Sequence, residues 1–598
     1  MQAVMEVPER AAARIPDAPS RTIPGEILAR CRELGDRTYT RHWDGERWIE
    51  TSWLEFADQA LAITATLIAE GVGAGDRVLL MSENRIEWLL CDLGIQSAGA
   101  VTVPIYATST LASVKAVVKA TEPVLAIASN AERADRIRTA GLDKVFLIHP
   151  EVERWRSRPL DDADREAIAL RLAKLEPEGL ATVIPTSGTT GEPKGVMLRH
   201  LSFTDMARSA LSVFDIGESD VVLSFLPYAH VMERMDGVFV PTVAGATIVL
   251  GRGMDHLVED IAEVKPTIML GVPRVFEKVF EAVHDAAAHE SAVKQRLLKW
   301  ALDVGAGRAA RDDVSPRGPV EGLAERLVLH GLRERLTGGR LRFFISGGAP
   351  LNEKVEEFFW ALGVKILQGW GLTEGTSGLT SNNETDHRYR TVGKALPGIE
   401  LKIAEDGEIL VQGPAVMTGY MGRAEETAAT LADGWLHTGD IGFLDAAGFL
   451  TITDRKKDLI KTAGGKYIAP QPIEALLMAD RYVASAMVVG DERPYAVALL
   501  VPDWAALVRD RGLAGTPVEL CEGVDVRRYF EGVVEEVNRG LAGFETIKRF
   551  ALLPADFSEA AGELTPTLKP RRRVVLEHQA AVIDGLYAQP KDLVTAPV

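Results

Sequence analysis

Cysteine is nearly missing from this chain of 598 residues, which holds only Cys31, Cys91 and Cys521. Three widely spaced thiols, an odd number, support neither a disulfide framework nor a zinc site, and a reducing compartment fits them best. Long apolar runs are missing as well. No stretch approaches the roughly 20 apolar residues of a membrane-spanning helix, so membrane contact is expected to be peripheral at most. Positive charge is in deficit: 67 Lys and Arg face 85 Asp and Glu, for a formal net charge of −18. This balance argues against general nucleic-acid binding, which needs phosphate neutralisation. Any anion site must therefore be local. The opening residues, MQAVMEVPERAAARIPDAP, lack the unbroken apolar core of a signal peptide. A cytoplasmic protein is expected, with peripheral attachment to the inner face of a membrane left open.

What is present reads as a packed, multidomain protein. The composition, 46% hydrophobic and 25% charged, is near the globular average, and the length exceeds what one core accommodates. Short apolar, β-branched runs recur: RVLLMS from Arg77, AVTVPI from Ala100, VLAIAS from Val124, KVFLIH from Lys144 and LATVIP from Leu180. These predict buried strands. Helical periods at Phe56–Glu70 and Arg85–Ala98 lie between them, and such alternation predicts an α/β fold with mainly parallel sheets. The rhythm continues through VVLSFLP, GATIVLG, TIMLGVP, LRFFISGG and VKILQGWG to about residue 370. From Gly398 the texture turns to short strands and Gly turns, predicting an antiparallel sheet or small barrel that ends near Thr453. A strand pair around SAMVVGDERPYAVALLVPD and a helix at Val526–Arg539 predict a smaller α+β unit. The expected division is an N-terminal domain at 1–453, a hinge at 454–457 and a mobile C-terminal domain at 458–598. A helix-rich stretch at 280–338 interrupts the strand rhythm like an insertion, with its role open.

The densest chemical signal is IPTSGTTGEPKGVML, from Ile184 to Leu198. Gly188, Gly191 and Gly195 permit close backbone approach, Thr186, Ser187, Thr189 and Thr190 offer hydroxyls, and Lys194 adds a cation, which together suit a phosphate cradle. The spacing is not that of a Walker A loop. TSGTTGEPKG resembles the signature of the adenylate-forming family, which includes acyl-CoA synthetases, luciferases and the adenylation domains of peptide synthetases. Within that family FLPYAHVMER around His230 and GVPRVFEKVFE around Arg274 resemble the AMP-forming long-chain fatty acid–CoA ligases. The likeness covers about residues 40 to 575.

The resemblance implies roles residue by residue. Gln368-Gly-Trp-Gly-Leu-Thr-Glu374 is similar to the family's Gly-aromatic-Gly-x-Thr-Glu turn. On that match Glu374, helped by Thr186, holds Mg²⁺, Thr373 touches the α-phosphate, and Gln368, Gly369 and Trp370 line the nucleotide. Trp370 stands where Tyr is commoner. SGGAPL from Ser346 resembles the adenine-pocket loop, with Gly347, Gly348, Ala349 and Pro350 flanking the base. Asp440, closing DGWLHTGD, is expected to accept the ribose hydroxyls, with Arg455 reaching the ribose, Lys457 at the hinge, and Lys461 and Tyr467 along the nucleotide. Lys569, in GELTPTLKPRRRVV, matches the family's catalytic lysine. Arg571, Arg572 and Arg573 beside it suit either contact with CoA phosphates or, at least as well, a solvated basic tail, and stay outside the site.

The reaction so implied has two steps, activation of a carboxylate to acyl-AMP and transfer of the acyl group to CoA, with Lys194, Thr373, Glu374 and Lys569 catalytic. Mg²⁺ is the cofactor; ATP, CoA and a fatty acid are substrates, with no nucleic acid among the partners. A CoA channel is expected near Gly464 and Gly465. FLPYAHVMER around His230 and GVPRVFEKVFE around Arg274 resemble the long-chain subgroup, which makes His230 an acyl-channel residue. Chain length, the physiological acceptor, the pathway and a homodimer stay open. The alternatives are a fatty acid–AMP ligase loading a carrier protein, a ligase for aryl or medium-chain acids, and a catalytically silent lipid binder.

Overall fold

The computed structural model describes residues 15–187, 193–311, 313–463, 466–558, 561–564 and 570–588. The apolar runs form strands where the sequence predicts them. A seven-stranded sheet has the spatial order Gly419–Tyr420, Pro193–Arg199, Leu180–Ser187, Val101–Ile105, Arg77–Met81, Leu125–Ala128, Val145–Leu147. Its interior is parallel, and the hairpin Leu180–Ser187/Pro193–Arg199 is antiparallel. A nine-stranded sheet places Lys365–Leu372 beside Phe343–Ser346, then Ile268–Gly271 and Val221–Ser224, all in parallel. Parallel strands need crossovers and are buried on both faces, which explains their near-continuous Val, Ile and Leu.

Helices between the sheets form the cores. Trp53–Ala69 begins with a capping box between Ser52 and Glu55, satisfying two otherwise orphaned donors, and packs on Ile86–Ser97. The two approach closely because Gly94 carries no Cβ; an added one would stand 2.8 Å from Ile63 Cγ2. Phe276, Phe344 and Phe359 meet edge-to-face across helix and sheet, centroids 5.1–5.8 Å apart. Phe276 and Phe359 are fully buried, each contributing about 1.5–3 kcal/mol by leaving water.

The helix-rich stretch at 280–338 is the crossover between the adjacent parallel strands Ile268–Gly271 and Phe343–Ser346. Ala301, Ala324 and Leu329 face the core. Arg308, fully buried, donates to Glu325 and to the Ala361 carbonyl.

The antiparallel unit consists of Glu400–Ile403, Glu408–Gln412, Leu431–Ala432, Trp435–Leu444 and Leu450–Arg455, a half-barrel sheet. Its last strand runs two residues past Thr453, because Asp440 and Arg455 stay in register. A turn at Lys456–Asp458 follows. The smaller C-terminal unit is built on Val483–Val489, Ala496–Pro502 and Ile547–Leu552. Its helix Val524–Arg539 buries Val526, Phe530 and Val534, spaced four apart on one face. No helix among the described residues is long and apolar enough to cross a membrane.

Candidate active site

The predicted phosphate loop sits at the tip of the antiparallel hairpin. Thr186 pairs with Lys194 across it, and the Thr186 hydroxyl reaches the Lys194 carbonyl at 3.4 Å. Gly188, Thr189, Thr190 and Gly191 lie outside the described residues, as do Gly464, Gly465 and Lys569; Ser187 is described as backbone within its strand.

The Lys194 side chain is positioned by two groups. Its ammonium pairs with Glu426 and lies 4.8 Å from the centroid of the Tyr420 ring. Lys194 and Arg423 hold the Glu426 carboxyl below the usual carboxylate range. Tyr420 is in place because Gly419–Tyr420 adds a short antiparallel strand to Pro193–Arg199, with Tyr420 opposite Val196. Its hydroxyl donates to Glu374 Oε1 at 2.7 Å, and burial together with the Glu374 charge pushes its pKa far up. One tyrosine thus joins the loop cation to the carboxylate of the second motif.

Glu374 stands on a tight corner. The strand Lys365–Leu372 ends in a single helical turn, Thr373–Gly375, whose Thr373 carbonyl accepts from the Thr376 amide. Thr376 and Ser377 then adopt φ of 54° and 83°, a left-handed conformation that costs a residue with a Cβ on the order of 1–3 kcal/mol. Three contacts hold it. The Met417 amide donates to the Glu374 carbonyl at 2.8 Å, the Thr376 hydroxyl donates to the Ala415 carbonyl at 2.6 Å, and the Ser377 hydroxyl donates to Asp236. Gly371 is obligatory here, since a Cβ would lie 1.6 Å from the Ser377 carbonyl oxygen. Glu374 and Thr186 offer oxygen donors only, a set that suits a hard cation such as Mg²⁺, which takes one or two protein oxygens and completes its shell with phosphate and water.

A second cluster surrounds Asp440, which is 4% exposed. The Trp370 indole donates to its Oδ2 at 2.7 Å, and Arg455 Nε lies 3.0 Å from Oδ1. A carboxylate has about four acceptor positions, so two donors leave capacity for further hydroxyls. The Gln368 side chain turns the other way, donating to Glu356 at 2.9 Å, and burial raises the Glu356 carboxyl to about 8. In the SGGAP loop, the Gly347 amide donates to the Gly271 carbonyl at 3.2 Å, and a Cβ on Gly347 would stand 3.0 Å from Met232 Sδ. Gly348 has φ +86°; Ala349 and Pro350 are exposed.

The remaining predicted residues lie apart. Lys461 and Tyr467 face one another in a two-stranded ladder, with the ammonium 5.7 Å from the Tyr467 centroid. Among the described residues, these contacts do not join them to Asp440. Lys457 lies on the exposed turn. His230 is half-buried, and its Nδ1 accepts from the Met232 amide at 3.2 Å. Arg572 is no solvated tail residue: it is half-buried, donates to the Val488 carbonyl at 2.7 Å and pairs with Glu474 at 2.5 Å.

Sequence reasoning passed over Tyr420, Glu426, Asp236 and Arg234. Tyr420 gives no periodic signal, being 46 residues from Glu374. The other signal was legible: MERMD sets Glu233, Arg234 and Asp236 within an apolar run, and charged residues are seldom fully buried unless paired.

The AMP-binding enzyme family model matches residues 28–421, and that of the AMP-binding enzyme C-terminal domain matches 457–591. Long-chain-fatty-acid–CoA ligase FadD15 of Mycobacterium bovis is 36% identical over 568 residues, covering 92% of this chain and 94% of its own. Long-chain-fatty-acid–CoA ligase 6 of Homo sapiens is 30% identical over 592 residues, 91% and 83% of the two chains. Among solved structures, ATP-bound MatB from Rhodopseudomonas palustris superposes with a TM-score of 0.71 at 22% identity, over 94% of this chain and 99% of that one.

Proposed function

Because the chain belongs to the AMP-binding enzyme family, we propose that it activates a long-chain fatty acid with ATP to acyl-AMP and transfers the acyl group to CoA, releasing AMP and pyrophosphate. The observation that carries this reading is the convergence of Lys194, Tyr420 and Glu374 at the hairpin tip, 4.8 Å from ammonium to ring and 2.7 Å from hydroxyl to carboxylate. Near full-length likeness to long-chain-fatty-acid–CoA ligases supports the fatty acid over an aryl or medium-chain acid, and CoA over a carrier protein.

A bare carboxylate is a poor electrophile, so the first step makes a mixed anhydride with a good leaving group. Attack on the α-phosphate brings two anions together, and cations placed beforehand lower that barrier. Lys194 supplies one such cation, for which an incoming phosphate competes with Glu426. Glu374 and Thr186 would hold Mg²⁺, which when bound offsets charge on the phosphate oxygens. Trp370 and Arg455 fix the Asp440 carboxylate so that its remaining lone pairs can accept the ribose hydroxyls. Lys569 supplies a further cation at the transition state. In the second step the unit beyond the Lys457 turn swings, withdrawing Lys569 and opening the CoA path past Gly464 and Gly465. No cysteine serves as nucleophile: burial pushes the thiols of Cys31 and Cys91 far up and that of Cys521 up to about 11, away from the reactive thiolate.

The helical crossover lets the protein dock on an anionic membrane, the source of its apolar substrate. Helices Ala292–Gly305 and Gly318–Ala324 pack together, and Val293, Val320, Leu323 and Leu327 are 50–75% exposed. Apart from the buried Arg308, residues 292–340 carry nine Lys and Arg against six Asp and Glu, in a chain of net charge −18. That contrast favours acidic headgroups.

The test is exchange of labelled pyrophosphate into ATP without CoA. Exchange that requires a fatty acid, rises with chain length toward palmitate and falls in Lys194→Ala and Glu374→Gln supports the reading. Exchange with aryl acids alone overturns the substrate assignment.

A further inference from the structure

The helical segment Glu233–Phe239 carries three charged residues, Glu233 and Arg234 buried and Asp236 half-buried, each directed at a different element. Glu233 accepts from the Ser224 hydroxyl, at the end of the strand Val221–Ser224. Arg234 donates Nε and Nη2 to Asp92 at 2.9 and 2.6 Å, and Nη1 to the Thr182 hydroxyl at 2.7 Å. Thr182 lies on the strand that leads to Thr186. Asp236 accepts from the Ser377 hydroxyl and from the Gly378 amide. One short segment therefore grips the strand feeding the phosphate loop on one side and the corner behind Glu374 on the other. Its first turn also reaches His230, whose carbonyl accepts from the Arg234 amide at 3.1 Å.

We propose that Asp236 is a positioning residue for the first half-reaction: by holding Ser377 and Gly378 it fixes the left-handed Thr376–Ser377 corner and so aims Glu374 at the phosphate site. The inference rests on the reading of Glu374 given above. It goes further in assigning the aim of that carboxylate to an acid 138 positions upstream in the chain. Two independent observations carry it. Thr376 and Ser377 are consecutive residues with positive φ, neither of them glycine, and such a pair persists only when its surroundings hold it. Asp236 is half-buried, and desolvation of its carboxyl pushes it up to about 7. A carboxyl kept in so unfavourable a place needs a compensating use, and its described hydrogen bonds all end on this corner.

The experiment places Asp236→Ala, Asp236→Asn and Ser377→Ala in the wild-type and Glu374→Gln backgrounds. Three quantities are measured: fatty-acid-dependent ATP–pyrophosphate exchange, amide hydrogen exchange over residues 373–381 and thermal melting. The expected result is a loss of exchange kcat of tenfold or more for Asp236→Ala, with the KM for fatty acid changed less than threefold. Faster amide exchange is expected at 375–378, with protection elsewhere retained. Asp236→Asn, which keeps an acceptor oxygen, should stay within threefold of wild type. In the Glu374→Gln background Asp236→Ala should add less than twofold, because both act through one carboxylate. Losses that multiply in the double variant, or unchanged amide exchange at 375–378, would overturn the proposal. If Asp236→Ala does not fold, Ser377→Ala carries the same comparison. A Glu374→Gln single variant with wild-type exchange overturns the role of Glu374 itself, a failure distinct from additive losses.

Discussion

Replacing Tyr420 by Phe removes one hydroxyl and leaves the ring under Lys194. The hydroxyl donates to Glu374 Oε1 at 2.7 Å, in a half-buried position. A hydrogen bond to an ionised acceptor contributes about 1.5–3 kcal/mol, and solvent recovers part of that where the carboxylate can rehydrate. The net loss of orientation is then about 1–2 kcal/mol, or roughly 5- to 30-fold in kcat/KM for MgATP. The ring contribution is separable. Tyr420→Leu also loses the cation–π contact, 4.8 Å from ammonium to centroid, worth a further ~0.5–1 kcal/mol at a partly exposed site. The assay is steady-state AMP formation with palmitate and CoA saturating and MgATP varied. Tyr420→Phe within twofold of wild type, with the same Mg²⁺ requirement, would refute the claim that this hydroxyl orients Glu374. Equal losses for Phe and Leu would place the effect in the hydroxyl and refute a role for the ring.

Gly371→Ala should abolish adenylation even where the protein folds, since the added Cβ meets the Ser377 carbonyl at 1.6 Å; pyrophosphate exchange and near-ultraviolet dichroism separate activity from folding. Arg572→Ala removes the cation 2.5 Å from Glu474 and leaves that carboxylate only the Val488 amide, and should cost about 1–3 kcal/mol in denaturant unfolding. Glu356 and Glu233 are raised to about 8, and Asp236 to about 7, all by burial. Groups raised in the folded state give stability that is complete below about pH 4 and is lost as pH climbs through those folded values. Each costs about 1.4 kcal/mol per pH unit in that window. The melting temperature should therefore fall from about pH 4 to about 8 and level off above that, less steeply in Glu356→Gln, whose amide oxygen still accepts from Gln368. Leu323→Glu with Leu327→Glu should weaken flotation with phosphatidylglycerol vesicles while leaving exchange with soluble fatty acid unchanged.

Much of the fold was legible in the sequence because parallel strands announce themselves. RVLLMS and LATVIP carry strand signal on both faces, and the Gly turns after Gly398 mark the change to an antiparallel sheet. The helical stretch at 280–338 read as an insertion because nothing local says that Ile268–Gly271 and Phe343–Ser346 are neighbours. In the site, Lys194, Glu374, Asp440 and Arg455 were legible through contiguous motifs, and the structure gathers them into two clusters. Tyr420 and Asp236 were not, because their contacts form between segments 46 and 141 residues apart. Gln368 shows the converse: it lies within a motif, yet its amide is engaged by Glu356 behind the strand. Arg572 looked like part of a basic tail because three arginines in a row read as solvated charge, and only the fold supplies Glu474.

The central claim is tested most directly by following nucleotide and thioester together in one reaction of the full chain with MgATP, palmitate and CoA. The account predicts palmitoyl-CoA, AMP and pyrophosphate in equal amounts, with acyl-AMP appearing only when CoA is withheld. ADP and phosphate as products, or acyl-AMP that persists in the presence of CoA, would contradict it.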